Sequence, residues 1–155
     1  MSDLTYPMPP LLAAVGGAVC LFCSNAVWAA EHHIACPSTL EPGSVQGKAP
    51  AGWRFAMLQA APLTSAGMLH GPPEESGYLV PEDNKETGPG GRRMQLWRFE
   101  QPHWYPTYVY CGYGGGRGLL QLFYPIPKAA TECTATTLAK NGVLELATFT
   151  CRVSR

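Results

Sequence analysis

The chain has 155 residues, in which 11 Lys and Arg balance 11 Asp and Glu, so its formal net charge is zero. A balance of this kind argues against binding to nucleic acid or to anionic lipid. The 17 glycines and 15 prolines predict short strands joined by many turns and argue against long helices.

The N-terminal residues have the pattern of a secretory signal peptide. Residues 11–23 form an uncharged, largely apolar run that is too short to span a bilayer, and Val27 and Ala29 place small residues before a cleavage site at Ala30. The region before this run is atypical, because it contains Asp3 and no Lys or Arg. We predict a signal peptide over residues 1–29, a single domain over 30–155, and no stable membrane insertion after cleavage. An uncleaved anchor ending at Trp28 is the alternative.

The cysteine count supports export. Cys20 and Cys23 leave with the signal peptide, and four cysteines remain: Cys36, Cys111, Cys133 and Cys151. An even count in a small exported domain predicts two disulfides, and the wide spacing argues against a metal site. The favoured pairing is Cys36–Cys111 with Cys133–Cys151. The pairing Cys36–Cys151 with Cys111–Cys133 stays open.

The first half of the mature chain predicts short strands separated by polar loops. Strands are expected over residues 34–36, 53–59, 66–70 and 94–100. Residues 74–91 are rich in acidic residues, Gly and Pro, which predicts a solvated loop whose segment 78–81 dips into the core.

An aromatic hairpin over residues 104–124 is the centre of the chain. Two runs of aromatic and branched residues flank a loop that is mostly glycine, and glycine supplies the positive φ values that a turn needs. In the first run, Thr107, Val109 and Cys111 share one face, and Trp104, Tyr108 and Tyr110 share the other. The glycine loop does not resemble a phosphate site, because a strand and not a helix follows it.

A second hairpin is predicted around Asn141-Gly142, between β-prone runs at 132–139 and 143–153. A two-residue turn would place Cys133 opposite Thr150. A three-residue loop would place Cys133 opposite Cys151, where a disulfide can form. No segment has a sustained helical period, so we predict a mainly β fold: a small antiparallel β-sandwich or open barrel with two disulfides.

Catalysis has little support in the sequence. His70 and His103 are isolated, the cysteines are expected to be paired, and no nucleophile motif occurs. We therefore predict a protein without enzymatic activity.

Two kinds of binding site are candidates. Exposed Tyr and Trp on rigid strands make good partner surfaces, so Trp104, Tyr108 and Tyr110, with Arg117 at the hairpin tip, are the candidate partner-binding residues. Cleavage on either side of Ala30 leaves His32 or His33 third in the chain. A free amine, two amides and that imidazole could hold Cu(II) or Ni(II) in a square plane, although many such ends bind these ions adventitiously. No other cofactor is expected.

A set of short motifs occurs in a characteristic order: Ile34-Ala35-Cys36-Pro37, Gly52-Trp53, His70-Gly71-Pro72-Pro73, Leu79-Val80-Pro81, Trp97, Val109-Tyr110-Cys111-Gly112-Tyr113, Leu120-Gln121-Leu122, Ile126-Pro127, Cys133 and Thr150-Cys151. With these motifs the mature chain resembles a family of small exported proteobacterial proteins. That family is represented by a Salmonella Typhi protein and is associated with type VI secretion loci. It has no established activity, so no catalytic residue carries over.

The resemblance implies a periplasmic location in a Gram-negative cell and protection against secreted effectors. The predicted function is that of a periplasmic binding protein of the inhibitor or immunity type, whose partner is a secreted effector or a cell-wall hydrolase. The alternatives are a copper- or metal-handling accessory protein and an envelope protein without catalysis.

Overall fold

The computed structural model describes residues 30–100, 105–115 and 119–154, which build two antiparallel sheets. The strands are β1 (Ala30–Ala35), β2 (Thr39–Leu40), β3 (Ala61–His70), β4 (Asp83–Gly88), β5 (Arg92–Arg98), β6 (Thr107–Tyr113), β7 (Leu120–Pro125), β8 (Ala130–Lys140) and β9 (Val143–Val153). One sheet has the order β1-β9-β8-β5-β4 and the other β2-β3-β6-β7. Neither sheet is closed, which confirms the prediction of a small β-sandwich.

The core lies between the two sheets because each strand turns alternate side chains inward. The five-stranded sheet contributes Trp97, Cys133, Ala135, Ala147, Phe149 and Cys151. The four-stranded sheet contributes Leu63, Met68, Val109, Cys111 and Tyr113. The face of the aromatic hairpin that the sequence assigned to Thr107, Val109 and Cys111 is therefore the buried one.

Both predicted hairpins are confirmed, and two predictions in the first half are wrong. Residues 53–59 form an exposed loop and no strand, although Trp53, Phe55 and Met57 alternate. Residues 83–88, expected in a loop, form the edge strand β4. This strand is polar on both faces and so has no apolar alternation to detect. Its pairing with β5 is supported by ion pairs between Glu86 and Arg93 and between Glu82 and Arg98, at 3.3 and 3.0 Å.

The β8–β9 hairpin combines features of both predicted registers. Its turn has two residues, since Lys140 pairs with Val143, and Asn141 and Gly142 have φ values of 52° and 78°. A bulge between Leu138 and Ala139 then shifts the register by one residue, so that Cys133 lies opposite Cys151.

Both favoured disulfides are present. Cys133–Cys151 joins neighbouring strands of one sheet, with a Cα–Cα distance of 4.1 Å. Cys36–Cys111 joins the residue after β1 to β6 and so links the two sheets. Such bonds are typical of an oxidising, exported compartment. No helix among the described residues is long and apolar enough to cross a membrane. The predicted signal peptide, residues 1–29, lies outside the described residues.

Candidate partner-binding surface

An apolar groove lies where the edge strands of the two sheets meet. Strand β1 is the last strand of one sheet and β7 the last strand of the other. Between them is a cavity of about 270 Å³, here called the edge groove, lined by Ile34, Ala35, Pro37, Cys111, Leu122, Phe123 and Tyr124. With no charged side chain in this lining, the edge groove suits an apolar ligand surface.

The register of the hairpin explains why β7 presents apolar side chains here. Leu122 pairs with Cys111 and Tyr124 pairs with Val109, so both side chains point to the core side of their sheet. The opposite sheet does not cover them, and they stay partly exposed. Leu122 and Tyr124 are two positions apart, so any strand places them on one face, but the sequence does not show that this face lies at an open edge.

The backbone of β1 adds polar groups to the rim of the edge groove. Cys36 N donates a hydrogen bond to Ala147 O at 2.9 Å, which shows that the even-numbered residues of β1 are the ones bonded to β9. Because ladder bonds involve alternate residues, the N–H and C=O groups of Glu31, His33 and Ala35 point away from β9. In the part of the chain that the structure describes, β1 has no second neighbour. An extended segment of a partner could pair with this edge.

Each end of the edge groove is held by a contact between the sheets. At one end, the rings of His32 and Tyr124 have centroids 5.7 Å apart. At the other end, the Cys36–Cys111 disulfide joins the two walls, and Tyr113 Oη donates a hydrogen bond to Pro37 O at 2.9 Å. The edge groove is therefore a preformed feature, which lowers the entropic cost of filling it.

The edge groove continues onto the outer face of the four-stranded sheet through Phe123. This side chain also belongs to the face that carries Tyr110, its pairing partner. Tyr110 packs edge-on against Tyr78, with centroids 5.1 Å apart, and Gln121 Nε2 donates to Tyr78 Oη at 2.9 Å. The result is an aromatic surface beside the edge groove.

Tyr108 and Tyr110, both predicted to bind a partner, lie on this outer face and are half-buried. Tyr110 lies directly over Gly67, where an added Cβ would come within 2.8 Å of its ring. Trp104 and Arg117, the other two predicted partner-binding residues, lie outside the described residues. No structural finding tests the role of any of the four.

His32 and His33, the predicted metal ligands, point to opposite faces of β1. His32 contacts Tyr124 on the core side, whereas His33 Nδ1 lies 3.1 Å from Thr150 Oγ1. The N–H of His32 points toward Cys151 in the β1–β9 ladder. A square-planar site built on His32 would use this amide nitrogen as a metal ligand, which would break its hydrogen bond to β9. Within the described residues, no three His, Cys, Asp or Glu side chains cluster as metal ligands would. The metal site therefore stays a prediction.

His70 is placed by contacts with its neighbours. Its Nδ1 lies 3.1 Å from Thr107 Oγ1, and its ring packs edge-on against Tyr105, with centroids 5.6 Å apart. Thr107 is itself buried within β6. This pair accounts for His70 as a structural residue. The other isolated histidine, His103, lies outside the described residues.

Comparison with known protein families identifies a match that covers most of the two sheets. A family model described as the type VI secretion system Tli immunity protein matches residues 58–152, more than half of the chain. The matched range runs from just before β3 nearly to the end of β9, so it includes β7 but not β1. Searches of curated proteins and of solved structures found no match.

Proposed function

The chain belongs to the type VI secretion system Tli immunity protein family, and on that premise we propose that it holds its effector at the edge groove. The function itself is of the immunity type: the protein neutralises an effector of a type VI secretion system. The family match is the observation that carries this function. The proposal adds where and how the effector is bound.

The chemistry of the edge groove supports this location. Leu122 and Tyr124 are partly exposed apolar side chains on β7, which pairs with β6, the strand that the Cys36–Cys111 disulfide links to the other sheet. Apolar anchors on rigid elements that are surrounded by hydrogen-bonding groups are the usual core of a protein interface. The unpaired edge of β1 supplies such groups. Tyr108 and Tyr110, on the adjoining outer face, extend the proposed contact, and Trp104 and Arg117 remain part of it on sequence grounds.

We place this encounter in the periplasm, where the two disulfides are stable, and we propose that protection needs binding and no catalysis. The expectation of a cell-wall hydrolase as the effector stays a prediction, as does the link to the Salmonella Typhi protein. The metal-handling alternative is kept apart from the proposal, because the backbone of β1 already engages the amide of His32.

Competition between cells tests the proposal. A strain that lacks the gene is mixed with an attacker that has an active type VI secretion system, and its survival is counted. We expect survival to fall and to be restored by the wild-type gene. Inactivating the attacker's effector genes one at a time then identifies the effector, since loss of the matching gene abolishes the killing.

A matched pair of variants tests the location. Leu122 and Leu146 are both strand leucines, 38% and 37% exposed, but only Leu122 lines the edge groove. We expect Leu122→Glu to lose protection and Leu146→Glu to keep it, with equal amounts of both proteins in the periplasm. Full protection by Leu122→Glu would refute the edge groove as the binding site. Undiminished survival of the deletion strain would refute the function.

A further inference from the structure

A long loop between β2 and β3 lies outside the surface described so far. Residues 41–60, here called the β2–β3 loop, leave and re-enter the sandwich at one point, because Leu40 pairs with Ala61. A loop of this length without secondary structure is uncommon in a compact domain and usually has a function.

Contacts within the β2–β3 loop hold its conformation. The ring of Phe55 covers Gly47 so closely that an added Cβ there would lie 2.7 Å from it, while Val45 and Met57 pack on the core. The N–H of Trp53 donates to Pro50 O at 3.0 Å, and Gly52 has a φ of 82°. This is the geometry of a type II turn, which fixes the backbone beside Trp53.

The outer surface of the β2–β3 loop is apolar and cationic. Trp53 is 77% exposed and Leu58 86% exposed, so both present large apolar side chains to solvent. Glu41, at the first position of the β2–β3 loop, is acidic and exposed. The other two charged residues of the loop are the cations Lys48 and Arg54, and both are exposed. Neither forms an ion pair with another described residue. Two unneutralised cations thus flank an exposed tryptophan.

We propose that the β2–β3 loop is a second effector contact, which takes an acidic surface of the effector with an apolar depression for Trp53. This inference rests on the proposed function. Tryptophan and arginine are the residues that most often dominate binding energy, and a preformed turn reduces the entropy lost on binding. Lys48 and Arg54 carry charge that attracts an acidic partner and accelerates association.

The test uses the effector identified by the competition experiment, purified and titrated with the mature protein. Trp53→Ala should weaken binding about 30-fold, the loss expected for a hot-spot residue. Val80→Ala is the control, because Val80 is also a highly exposed apolar residue, at 86% against 77% for Trp53, but lies outside the β2–β3 loop. It should leave the dissociation constant within about twofold. Thermal unfolding checks that both variants fold.

The dependence of the association rate on salt concentration tests whether the partner surface is acidic. Replacing Lys48 and Arg54 together by Gln should slow association and make its rate less sensitive to ionic strength. Replacing Lys128 and Arg92, two exposed cations elsewhere, should leave the salt dependence nearly unchanged. Vesicles of phosphatidylethanolamine and phosphatidylglycerol serve as a second probe for the same variants.

Each outcome decides between the proposals. If the wild-type protein does not bind the effector, the proposed function fails and this inference falls with it. If it binds but Trp53→Ala and the Lys48/Arg54 variant bind equally well, only the second contact is refuted. If those variants bind the effector normally but lose binding to vesicles, the β2–β3 loop contacts a membrane and the inference is overturned.

Discussion

Tyr113 is the largest side chain that the sandwich buries completely. Its ring lies in the core, and its hydroxyl donates to Pro37 O at one end of the edge groove. The hydrogen bond replaces the water that burial removes from the hydroxyl. Burial also raises the pKa of Tyr113 above its ordinary value of 10.0, because the charged phenolate would lose its solvation.

This pKa shift predicts how stability depends on pH. Above a pH of about 10 the tyrosine of the unfolded chain loses its proton before the folded one does, so the unfolded state is favoured. The stabilisation is complete below that pH and is lost as pH rises through the higher pKa of the folded state. We expect Tyr113→Phe to remove this part of the alkaline loss of stability, as measured by urea unfolding over a pH series.

At neutral pH the same substitution should cost about 1 kcal/mol, because Pro37 O loses its hydrogen-bond donor. Tyr105→Phe is the control, since Tyr105 is exposed and its replacement removes one ionisable phenol without disturbing the core. If the two variants have the same dependence of stability on pH, the assignment of the alkaline slope to Tyr113 is wrong.

At the scale of a single element, the β8–β9 hairpin depends on its turn. Gly142 has a φ of 78°, which L side chains rarely adopt, and an added Cβ there would meet nothing within 4 Å. A Gly142→Ala variant therefore isolates the conformational cost, which is about 1–2 kcal/mol for the left-handed region. Gly88 in β4 has equally open space but no positive φ. We expect Gly88→Ala to change the free energy of unfolding by less than about 0.5 kcal/mol.

Chemical unfolding of both variants measures this difference directly. Equal stabilities would mean that the turn relaxes into another conformation at no cost.

The two hairpins could be predicted from sequence because their signals are local. Asn141-Gly142 specifies a tight turn, and alternate apolar residues specify which face of β6 is buried. The bulge that brings Cys133 opposite Cys151 has no comparable local signal. It reflects pairing over the whole length of β8 and β9, together with the disulfide itself.

The wrong prediction of a strand over residues 53–59 has a different cause, because it depends on what the side chains pack against. The alternation of Trp53, Phe55 and Met57 predicted a strand, but here Phe55 packs on Gly47 within its own loop. The sequence did not reveal the edge groove, for a related reason. Ile34 and Pro37 are far from Leu122 in the sequence, and only the packing of one sheet on the other brings them to a common edge.

At the scale of the whole molecule, the two disulfides hold different parts of the sandwich. Cys133 and Cys151 are 18 residues apart and lie within one sheet. Cys36 and Cys111 are 75 residues apart and link the sheets at the edge groove. The open edges of the sandwich therefore depend on one covalent link between the sheets.

This difference leads to a quantitative prediction for two double variants in which one cysteine pair is replaced by alanine. Chain entropy assigns about 4 kcal/mol to closing a 75-residue loop and about 3 kcal/mol to closing an 18-residue loop. Both pairs are buried, so the small cavities left by the sulfur atoms are comparable in the two variants. We expect the Cys36/Cys111 variant to be the less stable in chemical unfolding and to lose protection in competition, because the covalent link between the two walls of the edge groove is lost. The Cys133/Cys151 variant should keep protection wherever it remains folded, since its disulfide does not line the edge groove. The reverse order of stability would mean that the hairpin, and not the link between the sheets, limits the fold.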